Sequence, residues 1–413
     1  MKKPLKIGII SYRSNPHCGG QGVYVRNLSR ALTDLGHSVE VIAGPPDPLL
    51  KGGAKLTMLK TLDLYNPEDL FRTPSLEELK DPINLLEWLG VSTMGYPEPM
   101  TFGIRANKYF KNRLDNYDII HDNQSLSYSL LSLAKRIPVT ATIHHPITVD
   151  RRIAVNSTRS FIKKVKHLRW YSFIGMQKFV AKRIKHLITV SDYSRHDIAK
   201  EFSISTDRFT TIPIGIDTSI FYPLELVKKD LCRLIVTNSA DTPLKGLYYL
   251  LHAVKNLSLR RPVKLTVVGT PKKNGGIERL VQQLDLTAHV HFTGRIDNER
   301  FLKEYSRASI AIVPSLYEGF GLPAGEAMAC RIPVISTTGG ALPEVTGDAA
   351  RLVSPKDSKA LEMAIDELLD DPKERERLAE AGYKRVLKHF TWEATALKTA
   401  QAYRKTIDDY TGL

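Results

Sequence analysis

The chain has 413 residues, 42% of them apolar and 25% charged, with a formal net charge of +15. At roughly 150 residues per domain, this length predicts two or three domains whose cores need neither disulfides nor a structural metal. Cys18, Cys232 and Cys330 show no paired spacing, the apolar run after the basic N-terminus is too short for a signal peptide, and no stretch reaches the length of a membrane span. A reducing cytosol is therefore the expected compartment. The charge is lopsided: residues 1–215 hold 31 Lys and Arg against 19 Asp and Glu, and residues 216–413 hold 28 against 25. Residues 151–191 contain eleven basic residues and no acid, which points to an anionic partner or surface.

In chain order, β-branched runs at 6–11, 38–43, 118–121, 139–143 and 186–191 predict buried parallel strands. Helical patterns separate them at 22–35, 103–116, 125–136 and 159–184. Between 45 and 100 the periodicity fails and eight prolines accumulate, so an irregular insertion is expected there. The rhythm resumes with strands at 233–237, 264–268, 289–292, 310–313 and 333–336, and helices at 245–258, 277–284, 298–307, 323–330, 358–370 and 373–388. The Pro- and Gly-containing segment 211–223 separates the two series. Two series of β-α units predict an α/β chain of two Rossmann-like, doubly wound domains facing a central cleft.

The most informative stretch is 313–340, where the strand-turn-helix pattern carries Glu318-Gly319-Phe320-Gly321-Leu322-Pro323 and then Glu326 on the expected first helical turn. Glycines allow close backbone approach, and free N–H groups at a helix start favour a pyrophosphate. Carboxylates beside an anion suit hydrogen bonds from sugar or ribose hydroxyls. Lys245 opens a predicted helix, where a cation opposes the macrodipole unless an anion sits there. Near the N-terminus, Gly19, Gly20 and Gly22 follow the first strand, but the G-x-G-x-x-G frame fails at Val25, which disfavours a dinucleotide-binding dehydrogenase. His144 and His145 end the 139–143 strand, where ligands of open α/β sheets bind. The chain has no D-x-D and no clustered Cys and His, so no metal is expected.

The run E-G-F-G-L-P-A-G-E, with two glutamates separated by seven residues, resembles the signature of retaining GT-B glycosyltransferases of family 4. GGQGVYVRNLSRALTDLGHSVEV, TIHH at 142–145, VSDYSRHDI at 190–198, GIDTSIF at 215–221, LKGLYYLL at 244–251, VVGT at 267–270 and HFTGRID at 291–297 follow in family order. The resemblance implies a catalytic set of His144, Lys245 and Glu318, with Lys245 neutralising the donor pyrophosphate and Glu318 and His144 contacting sugar hydroxyls. It implies donor contacts from Gly19, Gly20, Gly269, Arg295, Ile296, Gly319, Phe320, Gly321, Leu322 and Glu326, the last on the ribose. Two departures stand out: Ser239 replaces the family arginine six residues before Lys245, and Ile214 replaces a frequent asparagine. The implied organisation is an acceptor-side domain over 1–212, a nucleotide-sugar domain over 213–390, and a helix over 391–413 returning to the first domain.

The expected reaction is metal-independent, retaining transfer of a hexose from a nucleotide diphosphate sugar, UDP preferred, to a hydroxyl acceptor. Apolar residues near helical spacing alternate with cations over 158–187, a pattern suited to an anionic membrane surface through Lys163, Lys164, Lys166, Arg169 and Trp170. That makes a lipid or lipid-linked acceptor at the inner membrane face the favoured partner. A core-facing helix with a basic outer side would leave the same pattern. Other readings are a transferase with a soluble acceptor, a nucleotide-sugar epimerase on the same fold, and a non-catalytic membrane- or nucleic-acid-binding protein. No RNA-binding motif supports the last, and no nucleic-acid partner is expected.

Overall fold

The computed structural model describes residues 3–15, 20–66, 68–158, 160–224, 227–237 and 241–412. The chain divides into two compact units, Met1–Ile212 with Trp392–Leu413, and Pro213–Thr391. Unit 1 runs β1 (Lys6–Ser11), α1 (Gly20–Asp34), β2 (Ser38–Ala43), β3 (Lys55–Met58), α2 (Leu76–Leu79), α3 (Pro82–Ser92), α4 (Glu98–Phe110), β4 (Ile119–Asn123), α5 (Ser129–Ala134), β5 (Val139–Ile143), α6 (Ile147–Asn156), α7 (Phe161–Trp170), α8 (Ile174–Ala181), β6 (His186–Thr189), α9 (Asp192–Phe202) and β7 (Phe209–Thr211). Unit 2 runs β8 (Arg233–Thr237), α10 (Leu247–Ser258), β9 (Lys264–Val268), α11 (Gly276–Gln283), β10 (Val290–Phe292), α12 (Asn298–Arg307), β11 (Ile310–Val313), α13 (Leu322–Ala329), β12 (Val334–Thr337), α14 (Leu342–Thr346), β13 (Ala350–Val353), α15 (Ser358–Asp370) and α16 (Pro372–His389). The final helix, α17 (Trp392–Thr411), belongs to unit 1.

Each unit is built on one parallel sheet, ordered β3-β2-β1-β4-β5-β6-β7 in unit 1 and β10-β9-β8-β11-β12-β13 in unit 2. Most strands are short, β-branched-rich runs, as expected where helices cover both faces of a parallel sheet; β4 is the exception, ending in the buried polar residues His121, Asp122 and Asn123. β4, β5 and β11 are buried along their whole length. Strand order reverses direction at β1/β4 in unit 1 and at β8/β11 in unit 2, and such switch points open a crevice at the carboxyl ends of the strands.

The 45–100 segment is irregular only in part: no helix or strand covers 45–54, 59–66 or 68–75. It contributes the edge strand β3, paired with β2, and helices α2, α3 and the start of α4. Three of its prolines begin helices instead of breaking them: Asp81 caps α3 with Pro82 in its first turn, and Pro97 and Pro99 stand at the N-cap and in the first turn of α4. A buried Arg105–Glu87 pair at 2.6 Å, joined by the Thr101 hydroxyl, ties α3 to α4. The expected long helix over 159–184 is also corrected. α7 has no buried residue, a 3-10 turn follows at Tyr171–Phe173, and α8 buries Ile174, Met176 and Val180. The apolar spacing therefore serves a surface helix and a core helix in succession. In unit 1 the Tyr403 hydroxyl of α17 lies 2.6 Å from His121 Nδ1, and His121 Nε2 lies 2.7 Å from the Thr142 hydroxyl, so α17 is keyed into β4 and β5.

Candidate active site

The loops after β8 and β11 meet at the unit 2 switch point. Lys245 does not open the helix, as its sequence position suggested. It ends a 3-10 turn over Pro243–Lys245, and Gly246, at φ +68°, precedes α10. Gly246 is pressed against the Pro314 carbonyl, and the Leu316 N–H donates to the Leu244 carbonyl at 2.8 Å, so the two loops are stitched together. The Lys245 ammonium consequently reaches Glu318 Oε1 at 2.7 Å, and the Ser315 hydroxyl donates to the same oxygen at 2.7 Å. Sequence reasoning missed Ser315 because a lone serine after a strand carries no pattern.

Gly321, at φ +108°, turns the chain into α13. No acceptor among the described residues takes the backbone N–H groups of Phe320, Gly321 or Leu322. Unused donors at a helix start form an anion cradle. Glu326 lies on the second turn of α13, not the first. Its half-buried carboxylate has no hydrogen-bond partner among the described residues. Burial pushes its pKa up to about 7, against a lowering pull from Lys245. Such a carboxylate is well suited to accept hydrogen bonds from ligand hydroxyls.

The Glu318 loop is braced by the turn after β12. The Ala341 N–H donates to the Glu318 carbonyl at 2.9 Å, and Gly340, at φ +68°, would bring a Cβ within 2.2 Å of that oxygen. Gly340→Ala is expected to lower stability by about 1–3 kcal/mol and to displace the Glu318 loop. Urea unfolding and donor titration check this, and an unchanged midpoint with unchanged donor binding would refute it.

Other expected donor contacts are dispersed. Gly269 follows β9, and Arg295 and Ile296 follow β10, at the carboxyl ends of strands on the far side of β8. Arg295 is exposed and makes no ion pair among the described residues. Gly19 and Ser239 lie outside the described residues.

In unit 1, Gly20 begins α1 with open space where a Cβ would stand. The glycine the loop geometry requires is Gly22, whose Cβ would lie 2.0 Å from the Asn15 carbonyl oxygen. His144 is buried, and burial drives its pKa down to about 3, so its imidazole is neutral. Asn123 Nδ2 donates to the Gln21 carbonyl at 3.4 Å, which turns Asn123 Oδ1 toward His144 Nε2 at 2.8 Å. The proton therefore sits on Nε2, and Nδ1 is left as an acceptor. Asn123 was invisible to sequence reasoning, since it reads as the polar end of a buried strand.

Among the described residues, no group of three or more His, Cys, Asp or Glu side chains could hold a metal ion, and no helix is long and apolar enough to cross a membrane. On the basic segment, Lys163, Lys164 and Lys166 make no ion pair among the described residues. Arg169 donates to the hydroxyls of Ser172 and Thr93. Trp170 is half-buried and stacks on Tyr96 with ring centroids 5.0 Å apart.

Residues 18–220 match the family described as Glycosyltransferase Family 4, and residues 225–385 match Glycosyl transferases group 1. The chain is 44% identical over 408 residues to an MMP alpha-(1->4)-mannosyltransferase of Mycolicibacterium hassiacum, covering 98% of each chain. It is 27% identical to a D-inositol 3-phosphate glycosyltransferase of Catenulispora acidiphila, over 99% of this chain and 97% of that one. Its structure resembles sucrose-phosphate synthase from Thermosynechococcus elongatus with a TM-score of 0.75 and 25% identity, covering 99% of this chain and 100% of that one. Two parallel-sheet α/β units in this order agree with these matches, and the chain belongs to the GT-B glycosyltransferases of family 4.

Proposed function

We propose that the protein transfers a mannosyl group, with retention of configuration, from a nucleotide diphosphate sugar to a hydroxyl acceptor. The observation that carries this is the cluster of Lys245, Glu318, Glu326 and three unused N–H donors at one strand-end crevice. Mannose follows from the name of the 44% identical relative. Uridine follows from the family resemblance alone.

The N–H groups of Phe320, Gly321 and Leu322 bind the diphosphate, and Lys245 neutralises the charge that develops as it leaves. Glu318 accepts hydrogen bonds from sugar hydroxyls and Glu326 from the ribose. In unit 1 the neutral His144 offers Nδ1 to a hydroxyl. The acceptor oxygen bonds to the anomeric carbon on the face from which the diphosphate departs, and the acceptor proton passes to the leaving phosphate oxygen. The chain lacks a D-x-D, so charge stabilisation is assigned to Lys245 and the backbone without a metal. Incubation with labelled UDP- and GDP-mannose and a butanol–water partition tests the reading. Transfer to product without epimerised free donor supports it, and donor epimerisation without transfer replaces it by the epimerase reading.

The acceptor is proposed to be lipid-linked, with α7 lying on an anionic membrane surface through Lys163, Lys164 and Lys166. Each cation near such a surface adds about 1 kcal/mol, so Lys163→Glu with Lys164→Glu should weaken sedimentation with phosphatidylglycerol vesicles by about 30-fold or more. Equal binding by the variant would return α7 to a purely structural role.

A further inference from the structure

Unit 1 contains a cavity that the sugar-transfer chemistry leaves unused. Its volume is about 610 Å³, within the range of small-ligand sites. The 45–100 segment and α6–α7 line it, with Leu64, Trp88, Val91 and Met94 from the former and Ala154 and Trp170 from the latter, and it opens to solvent. The aromatic wall is held in place: Trp170 also meets Tyr65 edge-on at 5.6 Å, and Arg169 bridges to Thr93 at the end of α3.

The walls are mainly carbon, and this selects the occupant. A sugar presents a hydroxyl on nearly every carbon, and each one left unpaired there would cost about 1–3 kcal/mol. A hydrocarbon chain meets no such penalty. Charge selects the head group. Arg72, at the wall, is already paired with Glu78 through two contacts of 2.6 and 3.0 Å. Lys166 and His167 remain at the cavity, next to Lys163 and Lys164 in a stretch with no acid between residues 151 and 191. At the start of the same helix, Phe161 and Ile162 are 78% and 67% exposed. Apolar walls beside unneutralised cations and an exposed apolar helix end complement an anionic amphiphile.

We propose that this cavity takes the hydrocarbon chain of an anionic lipid, whose phosphate lies against Lys166 and His167 while α7 rests on the lipid surface. Its link to transfer rests on the lipid-linked acceptor reading; chain binding itself does not.

Trp88 and Trp170 line the cavity, and the chain's third tryptophan, Trp392, is buried on α17. Tryptophan emission therefore reports occupancy. The full-length protein is titrated with decyl phosphate below its micellar concentration, with glycerol 3-phosphate, with decyl maltoside and with an oligomannoside. The expected result is a saturable change with decyl phosphate and none with glycerol 3-phosphate. Ala154→Phe, which fills the cavity, should weaken decyl phosphate at least tenfold. Lys166→Glu should weaken decyl phosphate about tenfold and leave decyl maltoside unchanged. Nucleotide-sugar binding is measured on the same preparations, and retention in Ala154→Phe shows that the variant is folded. Saturation by the oligomannoside with no response to decyl phosphate would overturn the proposal and make the cavity a glycan subsite. Silence toward every amphiphile in a protein that binds donor would also overturn it. Binding of decyl phosphate without any nucleotide-sugar binding would keep the cavity and remove the transfer reading instead.

Discussion

Replacing Lys245 by methionine is expected to lower kcat for mannosyl transfer by about two to three orders of magnitude, the usual effect of removing one fixed group that stabilises charge on a leaving oxygen. The ammonium is positioned by its contact with Glu318 Oε1 at 2.7 Å, and the Ser315 hydroxyl holds that carboxylate from another direction. Under the proposed function the lysine would meet the diphosphate already oriented. The Lys245 and Glu318 side chains are only 27% and 11% exposed, so the substitution leaves a largely buried carboxylate held by Ser315 alone, and urea unfolding should fall by about 1–3 kcal/mol. Lys245→Arg should recover part of the rate, because it restores the charge but not the reach from Gly246. Single-turnover transfer, measured with donor saturating, separates loss of chemistry from loss of binding. A near-normal rate in Lys245→Met would sink the assignment and move leaving-group stabilisation to another cation.

The internal strands were legible in the sequence because most are apolar, β-branched-rich runs buried on both faces, as β5 and β11 are, whereas the edge strands β3, β7 and β13 are too short or too exposed to show that pattern and were not predicted. Nor were the helices of the 45–100 segment, since proline density alone does not distinguish a helix breaker from a first-turn residue such as Pro82. Likewise, apolar spacing across 158–187 runs through the break at Tyr171–Phe173, because two helices in succession can keep one rhythm while burying different amounts. Charged side chains in Gly-rich loops after strands were readable as site candidates. Their partnerships were not: the Lys245–Glu318 contact depends on Gly246 lodging against the Pro314 carbonyl, a tertiary fit with no local signal. The same holds for Asn123, which fixes the tautomer of His144 from the neighbouring strand β4, 21 residues earlier in the chain.

Glu326→Gln should stabilise the protein without donor while impairing donor binding, a pairing of opposite effects that a structural glutamate would not give. Burial raises the carboxyl to about 7 in the folded protein, above the ordinary 4.5 of a chain exposed to water. The sign follows from linkage: the folded state binds the proton more tightly, so this group's stabilising contribution is complete below about pH 4.5 and is lost as pH rises through about 7. Above pH 7.5 the ionised Glu326, with no hydrogen-bond partner among the described residues, leaves the fold about 2–3 kcal/mol less stable than the protonated form does. The neutral amide removes that penalty, so urea unfolding of Glu326→Gln should be firmer at pH 8 and flatter between pH 5 and 8. Donor binding turns the argument round. In the proposed donor complex ribose hydroxyls donate to the carboxylate, and such charge-assisted bonds contribute about 1.5–3 kcal/mol, so the variant should bind donor about ten- to a hundredfold more weakly. Wild-type donor affinity should rise with pH between 6 and 8 as Glu326 ionises, and that rise should vanish in the variant. An unchanged affinity and pH profile would mean that the carboxylate faces no donor hydroxyl, whatever happens to stability.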